Sequence, residues 1–348
     1  MDITSLFRAA VKEGASDLLL TTGVPAILRI KGNLVNTNTP ALTAKDTKDL
    51  LYAVLRPDQV AKFERDKELD FSIYVRDLNR FRGNAFIQRG AVGAAFRSIP
   101  NRVPAIEELS LPPVLEDFAL SPQGLVLICG PTGHGKSTSQ AAMIDRINDK
   151  QRRHIITVED PIEYLHQNKR SVIEQREVGD DTRSFTDALR HVLRQDPDVI
   201  LIGEMRDLET IQAALTAAET GHLVLATLHT NDCVQSIDRL LDVFPPHQQG
   251  QVRTQLSLCL LAVVSQRLIP RITGDGLAVG VEILVGNAGV RNLIREGKTH
   301  QIYSMMETHA KDGMVTMDSA LKELYLHGEI SHQEASRRMR NPQLLPRG

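Results

Sequence analysis

The sequence contains no tryptophan, only three cysteines and few aromatic residues, and its charges almost cancel. The aromatic fraction is 4% and the formal net charge is −2. Proteins that bind nucleic acid usually carry a basic excess that neutralises phosphates, and those that bind single strands need aromatic rings on which bases stack. These shortages argue against a dedicated nucleic-acid-binding protein.

The three cysteines are widely spaced and form no C-x-x-C pair, so neither a disulfide framework nor a zinc site is expected. The first eight residues lack a basic segment followed by an apolar run. The longest apolar stretch, 258–264, is too short to cross a bilayer. The sequence predicts a soluble, cytoplasmic protein.

The 348 residues are about twice the length of a typical domain of ~150 residues, which predicts two domains. Apolar spacing over residues 1–100 predicts a small α+β domain. Four prolines within 100–113 interrupt this pattern and predict a linker over 101–113. The elements expected in the first domain are helices at 3–11 and 43–55, strands at 26–30, from 34 onward, 69–75, 80–88 and 92–99, and a turn at 31–33.

Continuous apolar runs distinguish the next part of the chain, 114–285, and amphipathic helices such as 185–194 separate them. Strands with this composition are buried on both faces, as in a mainly parallel sheet. The runs cover 125–129, 155–158, 199–202 and 223–228. Helical spacing then continues through 286–348. We therefore expect an α/β nucleotide-binding core followed by a C-terminal helical segment.

A glycine-rich motif directly follows the first of these strands. Residues 130–137 fit G-x-x-x-x-G-K-[ST], the loop that surrounds phosphates with backbone N–H groups. In such a loop Lys136 reaches the β- and γ-phosphates and the Ser137 hydroxyl holds Mg²⁺. The alternative is a glycine-rich turn with a chance lysine. The motif predicts ATP binding by Gly130, Pro131, Thr132, Gly133, His134, Gly135, Lys136, Ser137 and Thr138, with the His134 side chain directed away from the phosphates.

Two carboxylates near strand ends are candidates for the hydrolytic chemistry. The strand 199–202 is followed by Gly203 and Glu204, and since no aspartate ends the strand, Glu204 is predicted to polarise the attacking water. Another strand leads into a cluster of acids in which Glu163 is predicted to position the Mg²⁺ shell or the water. The alternatives are a capping carboxylate and a solvated loop.

A histidine and two arginines are further candidates. His229 follows the strand 223–228, where an imidazole can donate a hydrogen bond to a γ-phosphate or serve a purely structural role. Hydrolysis leaves negative charge that one lysine and one metal ion neutralise only in part, so an arginine finger is expected. Arg82 and Arg97 lie on successive predicted strands and are the candidates, the alternative being arginines on a solvated sheet face.

Several motifs together resemble one family. Over essentially its whole length the chain is similar to the type IV pilus retraction ATPases, the PilT-like members of the secretion ATPase superfamily. It departs from the family pattern at Leu19, at His134 and at Gly289-Val290. The resemblance is carried by GASD at 14–17, RFRGN at 80–84, GPTGHGKS at 130–137, VEDPIE at 158–163, LRQDPD at 193–198, GHLVLATLH at 221–229 and VRNLIRE at 290–296.

The resemblance implies a PAS-like N-terminal α+β domain, a RecA-like P-loop ATPase domain and a ring-shaped homohexamer with nucleotide at subunit and domain interfaces. By the same resemblance Glu204 is the catalytic carboxylate, Glu163 serves the metal and the water, and His229 senses the γ-phosphate. Arg82 and Arg97 complete the site from the N-terminal domain. The segment 290–296 is associated in the family with retraction.

The function implied by the resemblance is an ATP-driven motor that retracts type IV pili and powers twitching motility. Its expected partners are an inner-membrane platform protein and a paralogous retraction ATPase, at the cytoplasmic face of the inner membrane. Membrane association is expected only through these partners, and nucleic acid is not an expected partner.

The alternatives are a pilus-assembly or type II secretion ATPase, a RecA-like nucleic-acid motor, and a scaffold that binds nucleotide without hydrolysing it. Assembly and secretion ATPases usually carry a further N-terminal domain and a tetracysteine zinc site, so the absence of both from this sequence favours retraction. Lys136, Ser137, Glu163 and Glu204 are all present and favour hydrolysis.

Overall fold

In the computed structural model the chain divides into two compact units, Met1–Arg102 and Val103–Gly348. The structure describes residues 2–30, 32–76, 78–100 and 102–346. The boundary lies inside the segment 101–113 that the sequence predicts as a linker. Part of that segment packs on the second unit, because Ile106 and Leu111 are buried in its core.

The first unit is an α+β fold built on an antiparallel sheet with the strand order β3-β2-β1-β6-β5-β4. On β5 buried and exposed residues alternate, so one face of the sheet lies against the core and the other meets solvent. Phe7 of the first helix stacks on Phe81 with ring centroids 4.3 Å apart. The elements are α1 (Ile3–Lys12), β1 (Asp17–Leu20), β2 (Ile27–Ile30), β3 (Asn33–Asn36), α2 (Ala44–Tyr52), α3 (Pro57–Asp66), β4 (Glu68–Tyr74), β5 (Arg80–Gln88) and β6 (Ala91–Ile99).

Two local details of this unit differ from the sequence prediction. The helix expected over 43–55 is shorter: α2 begins after Thr43, whose side chain forms a capping box with Asp46, and it ends at Tyr52. The helix α3 was not predicted, although Pro57 in its first turn is a recognisable start signal. The turn predicted at 31–33 includes Lys31, which lies outside the described residues.

The second unit is an α/β fold in which helices pack on a seven-stranded sheet with the order β13-β12-β7-β11-β10-β8-β9. Its strands run parallel except for β13, which is antiparallel to β12. The elements are α4 (Val114–Ala119), β7 (Gly124–Cys129), α5 (Lys136–Lys150), β8 (His154–Glu159), β9 (Val172–Glu177), α6 (Phe185–Val192), β10 (Val199–Ile202), α7 (Leu208–Glu219), β11 (Leu223–Leu228), α8 (Cys233–Asp242), α9 (Pro246–Cys259), β12 (Leu260–Pro270), β13 (Leu277–Val285), α10 (Ala288–Arg295), α11 (Ile302–Thr308), α12 (Met317–Leu326) and α13 (His332–Arg338).

The four apolar runs of the sequence are the central strands β7, β11, β10 and β8, each pairing in parallel with the next. Val126 and Ile128 of β7 belong to the same core cluster as Met143 and Ile144 of α5, while Leu127 belongs to a cluster on the other side. Since parallel strands end at a common edge, the loops that follow β7, β8, β10 and β11 come together there.

The C-terminal part contains elements that the sequence pattern did not indicate. The apolar stretch 258–264 divides between the end of α9 and the start of β12. The chain then turns back, and β13 pairs with β12 in the antiparallel direction. In α10, Val290 and Ile294 are fully buried, so the apolar side of the segment 290–296 is part of the core.

None of the described helices is both long and apolar enough to cross a membrane.

Candidate active site

The loop that follows β7 lines a cavity of about 710 Å³. Gly130 has φ +142°, and a Cβ there would lie 2.4 Å from the Gln266 carbonyl oxygen. Gly135, at φ +79°, precedes the first residue of α5. Because Gly135 carries no side chain to bond the first N–H groups of α5, they remain available to an anion, and the helix dipole favours one there. The loop is built to accept phosphate.

Lys136 is 7% exposed and its ammonium group is held inside the loop. Nζ donates to the carbonyl oxygens of Gly130 at 2.8 Å and Pro131 at 2.9 Å, and it lies 3.4 Å from Nδ1 of His229. Burial lowers the pKa of Lys136, a shift opposed by Cys129 and by the carboxylates of Glu204 and Glu163. A phosphate would supply the anionic partner that this buried cation needs.

Some of the remaining loop side chains line the cavity, whereas that of His134 contacts the neighbouring strand. Thr132, Ser137 and Thr138 line the cavity, and the Thr138 hydroxyl lies 3.0 Å from the Tyr164 hydroxyl. The His134 side chain instead lies against β12, because its Nδ1 accepts a hydrogen bond from the backbone N–H of Leu268 at 2.9 Å. Of the nine residues predicted to bind nucleotide, Gly130, Pro131 and His134 are not among those that line the cavity.

His134 accepts that hydrogen bond as a neutral ring. Burial lowers its pKa, and the nearby cations Lys136, Arg267 and Arg338 lower it further. A neutral imidazole has one nitrogen free to accept, and here that nitrogen is Nδ1. The side chain therefore fastens the phosphate-binding loop to the neighbouring strand.

Glu204 and His229 meet on the wall of the cavity. Oε1 of Glu204 lies 3.2 Å from Nε2 of His229, and Oε2 lies 2.7 Å from the Arg206 guanidinium. Burial raises the pKa of Glu204, but the hydrogen bond from Arg206 and the charges of His229 and Arg206 outweigh it, so the pKa lies below its usual value. The carboxylate is thus ionised at neutral pH and able to accept a proton.

Contacts among the central strands fix the position of the backbone that leads to Glu204. The Thr227 hydroxyl at the end of β11 donates to the Gly203 carbonyl, and the Gly203 N–H donates to the Val158 carbonyl at 2.8 Å. A Cβ on Gly203 would lie 3.2 Å from the Cα of Glu159, so only a residue without a side chain fits comfortably between the strands. The backbone before Glu204 is therefore fixed on both sides.

Glu159, the last residue of β8, supports the acidic loop that contains Glu163. Its Oε1 accepts hydrogen bonds from the Thr157 hydroxyl at 2.6 Å and the Gln175 amide at 3.2 Å. Burial raises the pKa of Glu159 to about 7, although these bonds and one from the Glu163 N–H oppose the shift. Glu159 thereby orients the backbone at Glu163, whose side chain lines the cavity.

The donors around the cavity fit a small divalent cation that is held mainly by phosphate and water. Ser137 offers a hydroxyl and Glu163 a carboxylate. Within the ranges that the structure describes, no three His, Cys, Asp or Glu residues cluster as a protein-only metal site. Mg²⁺ characteristically binds through few protein oxygens and completes its octahedron with substrate oxygens and water.

Arg82 and Arg97 belong to the first unit, where they are direct cross-strand partners on β5 and β6. Opposed residues of an antiparallel pair point the same way, so the two arginine side chains lie on one face of the sheet. Arg97, whose side chain is 72% exposed, donates from Nε to Asp17 at 3.0 Å. That carboxylate offsets the repulsion between the two guanidinium groups.

Sequence reasoning missed several residues of this site. Arg206 is the ion-pair partner of Glu204, Tyr164 contacts the phosphate-binding loop, and Gln266 approaches Gly130 while its amide oxygen accepts from Ser139 at 2.6 Å. Arg206 lies two residues from Glu204, so its charge was a usable signal. Gln266 had no local signal, since it contacts the loop from a strand more than 120 residues further along the chain.

Comparison with known proteins gives concordant matches. The family model described as type II/IV secretion system protein matches residues 108–337. The type IV pilus retraction ATPase PilT of Pseudomonas aeruginosa is 48% identical over 343 residues, which are 99% of each chain. A twitching motility protein of Neisseria gonorrhoeae is 45% identical and covers 99% of this chain and 92% of its own.

The type IV pilus ATPase PilU of P. aeruginosa is 43% identical, over 96% of this chain and 88% of its own. Among solved structures, the crystal structure of the pilus retraction motor PilT with bound ADP superposes with a TM-score of 0.93 at 47% identity, covering 99% of both chains. The similarity therefore extends over both units, in sequence as well as in fold.

Proposed function

Because the chain belongs to the type II/IV secretion system protein family, and within it to the PilT-like pilus retraction ATPases, we propose that it hydrolyses ATP to power type IV pilus retraction and twitching motility. The observation that carries this proposal is the contact of Lys136, Glu204 and His229 on one cavity wall. A phosphate-binding cation and an ionised carboxylate that can accept a proton from the attacking water are groups that γ-phosphate hydrolysis uses, and His229 contacts both of them.

In the proposed reaction the loop N–H groups and Lys136 bind the triphosphate, and Glu204 accepts a proton from the attacking water. His229 contacts both Lys136 and Glu204, which places its ring beside the expected position of the γ-phosphate. In this proposal the ring donates a hydrogen bond to the γ-phosphate, and that bond is lost after hydrolysis. Ser137 and Glu163 would hold Mg²⁺, which when bound neutralises phosphate charge. Loss of the γ-phosphate thus changes the contacts of a residue that is hydrogen-bonded to both catalytic groups.

The test measures ATP hydrolysis by the purified protein and twitching motility in cells. The purified chain should hydrolyse ATP, and its gene should restore twitching in a pilated strain that lacks its own retraction ATPase. ATP hydrolysis without restored retraction, together with restored piliation of a strain lacking its assembly ATPase, would favour the assembly alternative. Stimulation of hydrolysis by DNA or RNA would instead support a nucleic-acid motor.

The architecture that we propose for the motor is a PAS-like first unit, a RecA-like second unit and a homohexameric ring. The parallel order β12-β7-β11-β10-β8 around the phosphate-binding loop supports the RecA-like assignment. In this proposal the ring acts at the cytoplasmic face of the inner membrane on a platform protein. A PilU-like paralogue, such as P. aeruginosa has beside PilT, would be a further partner.

Replacement of Arg97 by alanine should lower kcat on the order of 10²-fold and change the Kd for ATP little, because we propose that Arg97 and Arg82 neutralise charge that develops on the γ-phosphoryl group. The measurement is steady-state hydrolysis beside equilibrium binding of ATP. The matched control is Arg29→Ala, since Arg29 also pairs with Asp17, at 3.6 Å.

If the arginines act from a neighbouring subunit, kcat per chain should also rise with protein concentration through the range in which rings form. Equal losses in the Arg97 and Arg29 variants would point to the ion pair with Asp17 rather than to catalysis. Full activity of a dilute monomer would contradict the hexameric site.

A further inference from the structure

Arg340, just after α13, reaches across the second unit to the start of α8. Its Nη2 donates to Oδ2 of Asp232 at 2.7 Å, and its guanidinium group stacks 4.2 Å from the centroid of the Tyr303 ring. Asp232 is the N-cap of α8, and its Oδ1 accepts the Gln235 N–H at 2.8 Å. The Asp232 side chain is 12% exposed, so Arg340 partners a carboxylate that is largely withdrawn from water.

The backbone around Arg340 is anchored independently of this ion pair. The N–H groups of Arg340 and Asn341 donate to the two carboxylate oxygens of Asp318 at 2.8 and 2.9 Å. Asp318 is only 3% exposed and lies in the first turn of α12. The backbone at Arg340 is therefore fixed, and the guanidinium group extends from a rigid base.

A second buried carboxylate joins the same helices. Glu282 of β13 is 1% exposed and accepts the N–H groups of Cys233 at 2.8 Å and Met317 at 3.1 Å, the first residues of α8 and α12. The start of α8 is thus tied to the C-terminal helices twice, through Glu282 and through Arg340. Anionic partners at helix N-termini are favourable because they satisfy free N–H groups.

The start of α8 is also the end of the loop that carries His229. Asp232 is three residues beyond His229, and consecutive Cα atoms are about 3.8 Å apart, so only a short segment of chain joins the two residues. The intervening Asn231 carbonyl accepts hydrogen bonds from Ser265 at 3.1 Å and Arg267 at 3.3 Å. The loop 229–232 is consequently held between the phosphate site at one end and Arg340 at the other.

We infer that Arg340 is a positioning residue for ATP hydrolysis, which acts through Asp232 to hold His229 against Lys136 and Glu204. The inference rests on the proposed role of His229 at the γ-phosphate. Without Arg340, Asp232 keeps its capping bond and Cys233 keeps its bond to Glu282, but the Asp232 carboxylate loses its cationic partner, so the C-terminal end of the loop is held less firmly. The C-terminal segment thereby becomes part of the mechanism that distinguishes ATP from ADP.

The test uses Arg340→Met in the full chain, because methionine removes the charge and keeps an apolar stem beside Tyr303. The expected result is a roughly 10- to 100-fold lower kcat, with KM for ATP changed less than about threefold, as for a displaced catalytic group. The preference for ATP over ADP in equilibrium binding should fall as well. Arg340→Lys should recover part of kcat, since an ammonium group can still pair with Asp232. Arg337→Met, at an exposed position of α13, is the matched control.

A double-mutant cycle with Asp232→Asn tests the route, because asparagine keeps the helix cap and loses the charge. If Arg340 acts through Asp232, the double variant should be no slower than the slower single variant. Normal kcat in Arg340→Met, or fully additive losses, would overturn the inference. So would equal losses of kcat, ATP binding and Tm in both Arg340 variants. If the unchanged protein itself hydrolyses no ATP, the proposed function fails instead.

Discussion

Glu204→Gln should bind ATP and leave it intact. Glutamine has the length of glutamate and can keep one of the two contacts at 2.7 Å to Arg206 and 3.2 Å to His229, but it cannot take a proton from water. General-base catalysis contributes about 10²–10⁴-fold, so kcat should fall by that amount. The measurement is single-turnover hydrolysis together with the Kd for ATP.

The control for this variant is Glu209→Gln, the same substitution at an exposed position of α7. It should hydrolyse ATP at the rate of the unchanged protein. A Glu204→Gln protein that retains kcat within about threefold would show that another group polarises the water. A loss of ATP binding would show instead that Glu204 organises the phosphate site.

Lys136→Ala should abolish tight nucleotide binding rather than the chemical step. The ammonium group would bond β- and γ-phosphate oxygens, and charge-assisted hydrogen bonds contribute about 1.5–3 kcal/mol each, so two of them correspond to a loss of roughly 10²–10⁴-fold in affinity. The variant should also lose the rise in Tm that excess ATP or ADP gives the unchanged protein. Lys150→Ala, at the exposed end of α5, should keep both.

Removal of Lys136 should not unfold the nucleotide-free protein. Its pKa is lowered mainly by burial, which means that the charged form is disfavoured in the folded state when no phosphate is present. Tm without ligand should therefore stay level or increase. A sharp fall in that Tm, with ATP affinity unchanged among the remaining folded molecules, would contradict the binding role and indicate that the lysine mainly holds the Gly130 and Pro131 carbonyls.

Much of the fold was predictable from the sequence because its signals are local. The runs that became β7, β8, β10 and β11 are apolar on both faces, which is a property of a few consecutive residues. Other elements have weaker local signals: β1 and β9 are mixed in burial rather than buried throughout, and α3 was indicated only by Pro57.

The candidate site divides in the same way. Sequence spacing by itself determined the phosphate-binding loop, since its glycines, Lys136 and Ser137 act within eight consecutive residues on a strand-to-helix turn. Tertiary structure alone decided that His229 contacts Lys136 across 93 positions and that Arg340 contacts Asp232 across 108. Such pairs are set by the order of strands in the sheet and by the packing of the last helices. No periodicity along the chain encodes that order, because hydrophobic spacing fixes which face of an element is buried and leaves open which element will cover it.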